Sequence, residues 1–583
     1  MSSIYEMLQE HAARSGAATA LLGCDNVSVS YSQLLAQVAA FGEHIGRKSV
    51  DAPVPRVAVV LPNGVGMATA FLGVSAYATC APLNPNLKES EYEFYLEDLD
   101  VSSVVVCKDS PAAITNVCTK LAIDTIDLKD ILETERTLSE AIPSEARDIG
   151  LVLHTSGTTS RPKLVPLTQK NLCSSAANVA ESLALKADDC SLNVMPLFHI
   201  HGLIGVLLGS MHAGGSVICT SGFDEETFAT QLTAAAPTWY SAVPTIHQSV
   251  LTLIRNKPEL LEAQNLRLIR SSSAALAPRV MSDLESSFDV PVIEAYGMTE
   301  AAHQMACNPL PPGQRRSGSV GLAAGPEVAV MSEDGEILPP DTIGELVIRG
   351  PNVMAGYLNN DTANQGAFTN GWFRTGDQGR MDADGYIEIT GRLKEIVNRG
   401  GEKVSPREID ETLLEHEAVG QAVAFAVPHD SLGEDLFAAV VRTSDVSEEE
   451  LRNYAFEKLA AFKVPTRIVF VDVIPKGPTG KLQRIGLHEK LGGALEVAYV
   501  SPRTEMEEAL AEFWQDVLGG EPIGALDNFF ARGGDSLKGV TLIANLQQGF
   551  DIDLDIESVF RLPTLAAQAS HIEEVLLQDM SGG

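Results

Sequence analysis

Residues 149–163 read Ile-Gly-Leu-Val-Leu-His-Thr-Ser-Gly-Thr-Thr-Ser-Arg-Pro-Lys. The apolar half predicts a buried strand, and the run Thr155–Lys163 that follows carries five hydroxyl side chains, one glycine and two cations. A buried strand that opens into such a loop can surround a polyphosphate with backbone N–H groups and hydroxyls, while Arg161 and Lys163 offset its charge. The Gly-x-x-x-x-Gly-Lys spacing of a Walker A loop is absent. The stretch therefore predicts an α/β domain with a phosphate-binding loop, and a polar surface turn is the alternative.

Size and charge narrow the class of protein. A chain of 583 residues is too long for one hydrophobic core, so we expect three or four domains. The formal net charge of −35 argues against nucleic acid or an anionic membrane surface as a partner. The eight cysteines are scattered singly without a Cys-x-x-Cys pair, which disfavours a zinc site and a disulfide framework. A reducing, cytoplasmic location fits this cysteine usage best.

Targeting signals are not evident in the sequence. The N-terminus lacks a basic region followed by an apolar one, so no signal peptide is expected. No apolar run approaches the roughly 18 residues of a membrane span. The final residues do not form a peroxisomal address of the Ser-Lys-Leu type. We therefore expect no membrane partner.

The pattern along the chain predicts three units. Over residues 1–390, short β-rich runs alternate with helical patterns, which is typical of α/β folds with largely parallel sheets. From Gly321 to Gly350 the strands are broken by turns and predict a β-barrel or a small antiparallel sheet. Residues 391–495 form a smaller α+β unit, and residues 501–583 show four apparent helices, almost no strand pattern and a net charge of −11.

Several polar motifs follow predicted strands. In the run Tyr296-Gly297-Met298-Thr299-Glu300, the carboxylate of Glu300 is a hard oxygen ligand suited to Mg²⁺. Ligands of open α/β sheets collect at such carboxyl ends of strands. Asp377 could accept hydrogen bonds from ribose hydroxyls, Arg392 could assist at ribose or phosphate, and Lys481 lies on a glycine turn from which it can reach an active site. Singly, each could equally be a turn residue or a solvated charge.

Together, in this order and spacing, the motifs resemble the superfamily of adenylate-forming enzymes over roughly residues 10–490. That resemblance implies a core domain of two sheets plus a barrel, and a mobile C-terminal domain that pivots at the hinge residue Lys394. For ATP, the resemblance implies that the phosphates are held by Thr155, Ser156, Gly157, Thr158, Thr159 and Lys163, and that adenine packs on Ser273, Ala274, Ala275, Glu294, Ala295 and Tyr296. It also implies that Thr299 and Glu300 serve phosphate and Mg²⁺, and that Asp377 and Arg392 bind ribose. Finally, it implies that Lys481 bridges the substrate carboxylate and the α-phosphate, and that the incoming thiol faces Arg399, Gly400, Gly401 and Lys403.

The C-terminal unit resembles a carrier-protein domain. Asp527-Asn528-Phe529-Phe530 leads to Gly533-Gly534-Asp535-Ser536-Leu537, close to the phosphopantetheine attachment motif. The resemblance implies covalent 4′-phosphopantetheine on Ser536, installed by a phosphopantetheinyl transferase, and a downstream enzyme that accepts the acyl group. An ordinary helix N-cap is the alternative for Ser536. Ala531-Arg532 replaces the usual Glu-Leu, a departure that bears on partner contacts.

The acid pocket is expected to be polar. His199, His201 and His303, with Ser273 where many relatives have glycine, could bind a second carboxylate or another polar head. Hydrogen-bonded packing is the alternative for each histidine. The sequences of residues 154–163, 196–202, 238–248 and 398–403 resemble those of the oxalate–CoA ligase branch. No pocket aspartate that would bind an α-amino group is evident.

Three functional hypotheses follow. The first is an adenylation–carrier didomain that uses ATP to activate a small polar or dicarboxylic acid, and then loads it on its own phosphopantetheine. The second is an acyl-CoA ligase of oxalate type that uses free CoA. The third is a non-catalytic carrier or scaffold, which the presence of Lys481, Glu300, Asp377 and Arg392 disfavours.

Overall fold

The computed structural model of the chain describes most of its length. It describes residues 1–25, 27–133, 141–155, 162–429, 432–475, 484–495, 499–519, 522–530, 532–534, 536–552, 554, 558 and 561–581, with the backbone alone at residues 494, 536–537 and 578–581. The chain divides into two compact units. The first unit comprises residues 1–375 and 379–389, and the second comprises residues 376–378 and 390–583.

Twenty strands lie in, or begin in, the first unit. In chain order they are β1 (Thr19–Gly23), β2 (Ser28–Ser30), β3 (Arg56–Val59), β4 (Thr79–Pro82), β5 (Ser103–Val106), β6 (Asp124–Asp127), β7 (Ile149–Thr155), β8 (Lys163–Thr168), β9 (Cys190–Asn193), β10 (Ser216–Cys219), β11 (Trp239–Ala242), β12 (Leu268–Ser271), β13 (Val292–Met298), β14 (His303–Cys307), β15 (Leu322–Ala323), β16 (Glu327–Met331), β17 (Gly344–Arg349), β18 (Phe368–Thr369), β19 (Trp372–Met381) and β20 (Ile387–Arg392).

Helices alternate with these strands. They are α1 (Ile4–Ser15), α2 (Tyr31–Ile45), α3 (Val65–Tyr77), α4 (Glu89–Leu99), α5 (Ala112–Leu121), α6 (Leu128–Glu133), α7 (Gln169–Ser182), α8 (Gly209–His212), α9 (Glu225–Ala234), α10 (Pro244–Asn256), α11 (Leu260–Ala263), α12 (Pro278–Phe288) and α13 (Asp361–Ala367), with a π-helix over His201–Leu208 and a 3₁₀ turn over Thr299–Ala301.

Three sheets organise the first unit. The nine-stranded sheet has the order β15-β14-β13-β12-β11-β9-β10-β1-β2, and the six-stranded sheet has the order β6-β5-β3-β4-β7-β8. Neighbouring strands from β13 through β1 run parallel, as do those from β6 through β7, and only the edges are antiparallel. The third sheet, β16-β17-β19-β18 with β20 on β19, occupies the region predicted as a barrel or small antiparallel sheet. The prediction of an α/β fold with largely parallel sheets is confirmed.

Helix α3 shows how the core is built. Its residues from Met67 to Tyr77 are all buried, which matches a helix that is apolar around its whole circumference. Gly73 lies against the ring of Phe41 on α2, so that a β-carbon at this position would collide with the ring. Helix α2 begins with a capping box in which Ser30 and Gln33 bond each other's backbone N–H groups. These devices fix the two helices and, with them, the strands that carry the site.

The second unit contains an α+β part and a helical part. Its elements are β21 (Val397–Arg399), β22 (Glu402–Val404), β23 (Val419–His429), β24 (Gly433–Arg442), β25 (Arg467–Phe470), α14 (Pro406–Leu414), α15 (Glu448–Lys458), α16 (Leu487–Leu491), α17 (Glu505–Leu518), α18 (Ser536–Phe550) and α19 (Leu565–Ser581). The sheet has the order β22-β21-β24-β23, with β25 parallel to β24. In the described part of residues 501–583 the regular elements are helices, as the sequence predicted.

The helical part has its own core. Trp514 on α17 is fully buried, donates from Nε1 to Gln568 Oε1 at 3.0 Å, and meets the ring of Phe529 edge-on at 5.2 Å. Leu542 and Leu546 on α18 pack on the same cluster. The aromatic motif that precedes the Gly-Gly turn therefore anchors this domain.

Candidate active site

Three parallel strands deliver polar residues to one edge of the nine-stranded sheet. Ser241 lies near the end of β11, Ser273 follows the end of β12, and His201 begins the π-helix that follows β9. The carboxyl ends of parallel strands meet at the same edge, which is where open α/β sheets bind ligands. The order of the strands within the sheet thus brings together side chains that are far apart in sequence.

His201 is held by two serine hydroxyls. Its Nε2 atom lies 2.7 Å from Ser241 Oγ and its Nδ1 atom lies 3.0 Å from Ser273 Oγ. The residue is 2% exposed. A hydroxyl can donate or accept, so the two serines satisfy the imidazole whichever nitrogen carries the proton. The ring orientation is therefore fixed while its protonation state is left open.

His303 is held by a buried cation. Arg270 on β12 is fully buried and directs Nη1 at His303 Nε2 over 3.0 Å and Nη2 at Gln304 Oε1 over 3.0 Å. Because a guanidinium has only donors, His303 Nε2 must accept, and the imidazole is neutral with its proton on Nδ1. The two histidine rings stack with centroids 5.2 Å apart. The cluster therefore joins Arg270, His303 and His201 into one unit.

No described carboxylate pairs with the Arg270 guanidinium. Its remaining contact is a long one, 3.5 Å from Nη1 to Ser241 Oγ, and its Nε atom has no hydrogen-bond partner among the described residues. Burial lowers the pKa of Arg270, with the Cys307 thiol opposing the shift. A guanidinium nevertheless stays charged in proteins. The cluster thus carries a buried positive charge.

Backbone strain coincides with the cluster. Ser273 has φ = +75° and His303 has φ = +100°, both in a region that non-glycine residues avoid. The imidazole of His303 lies over Gly205 and its carbonyl lies over Gly297, where a β-carbon on either glycine would collide with it. Conformations of this kind cost on the order of 1–3 kcal/mol each and cluster at functional sites. The strain makes Ser273 and His303 candidates for a functional role.

The fourth predicted pocket residue, His199, is placed differently. It precedes the π-helix, is only half-buried, and its ring packs on Phe198 with centroids 4.8 Å apart. Its ring contact is with Phe198, whereas Ser273, His201 and His303 are linked by the hydrogen bond and the ring stacking described above. The structure therefore brings together three of the four predicted pocket residues, and their role in binding an acid stays a prediction.

The two segments predicted to pack on adenine are neighbours. Glu294 on β13 is buried, and its Oε1 accepts from the backbone N–H of Leu276 at 3.2 Å. This bond ties the loop that contains Ser273, Ala274 and Ala275 to the strand that contains Ala295 and Tyr296. The two segments predicted to pack on adenine therefore lie next to each other.

Glu300 is built into a second polar cluster. The Tyr357 hydroxyl donates to Glu300 Oε1 at 3.0 Å, and the ammonium of Lys163 lies 4.3 Å from the centroid of the Tyr357 ring. Glu300 is 8% exposed, and its neighbour Thr299 lies in the same 3₁₀ turn. Burial, followed by the Glu300 charge, raises the pKa of Tyr357 beyond its ordinary value, so Tyr357 remains a donor.

The Glu300 cluster fits a magnesium–nucleotide site. Mg²⁺ prefers hard oxygen ligands and keeps several waters and phosphate oxygens. Glu300 offers a carboxylate that Tyr357 orients, and Lys163 stands at the start of β8, paired in register with Thr155 at the end of β7. The remaining predicted phosphate-loop residues, Ser156, Gly157, Thr158 and Thr159, lie outside the described residues.

In the second unit, the two residues predicted to bind ribose form an ion pair. Arg392 Nε lies 2.8 Å from Asp377 Oδ1, and the Asp377 side chain is 6% exposed. The predicted hinge, Lys394, is exposed and follows directly, and the N–H of Leu393 bonds the carbonyl of Gly376 at 2.9 Å. The structure therefore pairs the two predicted ribose ligands with each other.

The residues predicted to face the thiol differ in their exposure and contacts. Gly400 and Gly401, at φ of +60° and +97°, form the turn between β21 and β22, and Lys403 is exposed on β22. The Arg399 side chain is 11% exposed and pairs through Nε with Asp435 Oδ1 at 2.8 Å. Arg399 is thus engaged within its own sheet.

Two more of the predicted residues, Lys481 and Ser536, have no described side chain. Lys481 lies outside the described residues. Ser536 begins helix α18 directly after the turn at Gly533 and Gly534, and only its backbone is described. Gly533 has φ = +89°, and a β-carbon on Gly534 would collide with the ring of Phe529, so this turn needs both glycines. A serine at the start of a helix after such a turn suits attachment of a phosphopantetheine arm.

Sequence reasoning missed Arg270, Ser241, Gln304 and Tyr357. Arg270 had a recognisable signal, because a charged residue interrupts the buried strand Leu-Ile-Arg-Ser of β12. Ser241 is its register partner on β11, which a strand order would have given. Nothing local distinguished Tyr357, since its partner Glu300 is 57 residues away.

The described part of the chain lacks two kinds of feature. Among the described helices, none combines the length and the apolar character that crossing a bilayer requires. The described residues also contain no group of three or more histidines, cysteines or acidic residues placed to hold a metal ion by themselves.

The chain matches three family models. Residues 8–358 match the AMP-binding enzyme model, residues 408–481 match the AMP-binding enzyme C-terminal domain, and residues 508–572 match the phosphopantetheine attachment site. The first match alone spans more than half of the chain.

Comparisons with individual proteins support the same family. The chain is 45% identical over 446 residues to an oxalate–CoA ligase of Arabidopsis thaliana, covering 73% of this chain and 87% of that protein. It is 36% identical over 444 residues to a sulfoacetate–CoA ligase of Cupriavidus necator, covering 74% and 86%. The crystal structure of ATP-bound MatB from Rhodopseudomonas palustris aligns with a TM-score of 0.78 at 28% identity, covering 85% of this chain and all of that one.

The predicted adenylate-forming class and the predicted carrier domain are therefore confirmed. The third hypothesis, a non-catalytic scaffold, finds no support in these relatives. The chain belongs to the AMP-binding enzymes and is an AMP-forming acid–thiol ligase with a phosphopantetheine attachment domain at its C-terminal end.

Proposed function

We propose that this ligase activates a small dicarboxylic acid of the oxalate class with ATP and passes the acyl group to the phosphopantetheine arm on Ser536. The observation that carries the choice of acid is the buried cluster of Arg270, His303 and His201. The products are an acyl-adenylate and pyrophosphate in the first step, and a thioester and AMP in the second.

Electrostatics supports a second anionic group on the acid. Arg270 is buried and no described carboxylate neutralises it, although the chain as a whole carries a formal charge of −35. A buried charge is costly unless it is compensated. A distal carboxylate near His303 and His201 would compensate it, whereas an alkyl chain would leave the Arg270 charge uncompensated.

Space supports a small acid. His201, His303 and Ser241 are each at most 2% exposed, and the imidazole of His303 lies directly on Gly205. A long acyl chain would have to displace this packed layer. The relatives named for oxalate and sulfoacetate also act on two-carbon acids with a second anionic group.

The chemistry of the first step is positioning and charge stabilisation. A carboxylate oxygen of the acid attacks the α-phosphorus, the new O–P bond forms, and the bond to the pyrophosphate leaving group breaks. Lys163 and the predicted Lys481 would offset the phosphate charge. Glu300 would hold Mg²⁺, which supplies Lewis-acid stabilisation of phosphate oxygens when bound.

A second candidate function concerns the thiol. The similarity to CoA ligases favours release of the acyl group as a CoA thioester, in which case the carrier domain has another role. The phosphopantetheine arm and CoA present the same thiol group, so the two candidates differ only in the acceptor.

The test combines two measurements on the full chain after phosphopantetheine has been installed. ATP–pyrophosphate exchange over a panel of mono- and dicarboxylic acids should be fastest with oxalate or another C2–C4 dicarboxylate. Intact-mass analysis with ATP and that acid should then show an acyl mass shift that Ser536→Ala abolishes, while Ser536→Ala leaves exchange unchanged.

Other outcomes decide against parts of the proposal. Exchange that is fastest with a monocarboxylic acid contradicts the choice of acid. Rapid formation of acyl-CoA by both the wild type and Ser536→Ala, with no mass shift on the protein, selects the CoA-ligase candidate.

A further inference from the structure

The phosphopantetheine attachment domain contacts the α+β part of the second unit through a buried side chain. Asn528, in the aromatic motif before the Gly-Gly turn, donates from Nδ2 to the backbone carbonyl of Thr466 at 2.9 Å. Asn528 is 3% exposed and Thr466 is 1% exposed. The same side chain accepts through Oδ1 from the N–H of Phe530 at 3.0 Å. One amide therefore serves both the carrier's own turn and its neighbour.

The acceptor carbonyl belongs to a rigid frame. Thr466 Oγ1 donates to Asp435 Oδ1 at 2.8 Å and receives a hydrogen bond from Arg399 Nη2 at 2.6 Å. Arg399 also donates to the carbonyl of Val464 at 3.0 Å. A carbonyl that is held in this way presents a fixed target to Asn528. The frame includes Arg399, a member of the segment predicted to face the thiol.

A second hydrogen bond runs in the opposite direction. His429, at the end of β23, lies with Nε2 3.0 Å from the backbone carbonyl of Phe530. Its Nδ1 atom accepts from the N–H of Leu432 at 3.2 Å, so the proton is on Nε2 and Nε2 donates. Each domain thus contributes one side-chain donor and one backbone acceptor.

A third contact flanks the two hydrogen bonds. The guanidinium of Arg561 lies 5.2 Å from the centroid of the Phe456 ring on α15. A cation held over an aromatic ring in this way is attracted by the ring's negative face. The contacts come from separate segments of both domains, which is expected of a specific interface.

We infer that the carrier domain has a dock on the C-terminal adenylation subdomain, made by Asn528 and His429 with the carbonyls of Thr466 and Phe530. In the docked state the carrier and the subdomain move as one body. Because the frame under Thr466 contains Arg399, any rearrangement of the predicted thiol-facing segment also acts on the dock. The inference does not depend on which acid is activated.

The decisive variant is Asn528→Asp. The carboxylate keeps an oxygen to accept from the N–H of Phe530, so the carrier's own turn is preserved. It replaces the donor to Thr466 with a charged acceptor that faces a carbonyl oxygen, which is strongly unfavourable in a buried contact. The dock should open while the carrier stays folded.

Single-molecule Förster resonance energy transfer in the full chain measures whether the dock is closed or open. Dyes on residues encoded at the exposed positions Glu457, on α15, and Ser570, on α19, report the distance between the two domains. The wild type should show one narrow population with high transfer. Asn528→Asp should raise the ratio of low-transfer to high-transfer molecules at least ~10-fold.

Three further variants make the result specific. His429→Leu removes the donor from the other domain, so it should open the dock without touching the carrier, whereas His429→Gln, which keeps a donor, should open it less. Gln548→Glu, an amide-to-acid change at an exposed position of α18, should match the wild type. A wild-type chain with a broad distribution, or an Asn528→Asp chain that matches the wild type, overturns the inference.

Discussion

The acid pocket and the Glu300 cluster lie at the same edge of the nine-stranded sheet but are built in opposite ways. The pocket joins a cation to imidazoles, with Arg270 directed at His303, and no described carboxylate pairs with that cation. The Glu300 cluster places a carboxylate at its centre and orients it with Tyr357. The first attracts an anion and the second attracts a cation.

Under the proposed function, local charge and not net charge would select the ligands of this enzyme. A chain with a formal charge of −35 repels anions at long range, yet buried groups are screened little and act strongly at short range. Opposite signs in adjacent clusters suit a reaction that brings a carboxylate to a magnesium-bound phosphate. Three substitutions can break or sharpen this contrast.

The largest effect is expected from Glu300→Gln. The amide can still accept from Tyr357, but it loses the charge that Mg²⁺ requires, so ATP–pyrophosphate exchange should fall by about 100- to 1,000-fold with every acid. Glu97→Gln, at an exposed position of α4, is the matched control and should retain full activity. Exchange by Glu300→Gln within a factor of a few of wild type would remove Glu300 from the metal site.

A smaller and more selective effect is expected from Arg270→Met. Methionine fills the space but removes the buried charge, so kcat/KM for the dicarboxylate should fall by about 100-fold, while that for a monocarboxylate of similar size should change much less. The kcat/KM of Arg270→Lys for the dicarboxylate should lie between those of the wild type and Arg270→Met, because lysine keeps the charge and loses the forked geometry.

The ratio of kcat/KM for the dicarboxylate to kcat/KM for the monocarboxylate is the readout for Arg270. An equal loss with both acids, accompanied by a lower Tm, would mean that Arg270 serves packing alone. A preserved Tm with a changed ratio supports the charge argument, because replacing a buried ion by an apolar residue is often neutral for stability.

The smallest effect is expected from Tyr357→Phe. Phenylalanine keeps a ring under the Lys163 ammonium and loses the hydrogen bond to Glu300, so the Mg²⁺ concentration for half-maximal exchange should rise by about 10-fold with little change in kcat. Tyr357→Leu, which loses the ring as well, should also weaken ATP binding measured by calorimetry. Identical Mg²⁺ dependence in Tyr357→Phe and wild type would show that the hydroxyl does not orient Glu300.

Much of the fold and part of the site follow from local sequence. The alternating pattern over residues 1–390 predicted the parallel sheets because apolar strands buried on both faces and amphipathic helices have distinct periods. Glu300 was recognised as a carboxylate that follows a predicted strand, Ser273 as a serine where many relatives have glycine, and His303 as a histidine three residues beyond Glu300. Arg270 and Tyr357 were missed because their importance lies in contacts with residues 33 and 57 positions away.

The sequence by itself determined the class of enzyme and the order of its domains. Strand–loop motifs and the serine after Gly533-Gly534 are local patterns, and local patterns can be read without knowing which residues meet. Only the tertiary structure decided that Arg270 leaves His303 neutral, that Tyr357 connects Lys163 to Glu300, and that Asn528 reaches Thr466. The reason is physical: protonation, orientation and docking depend on distances of about 3 Å between groups that are remote along the chain.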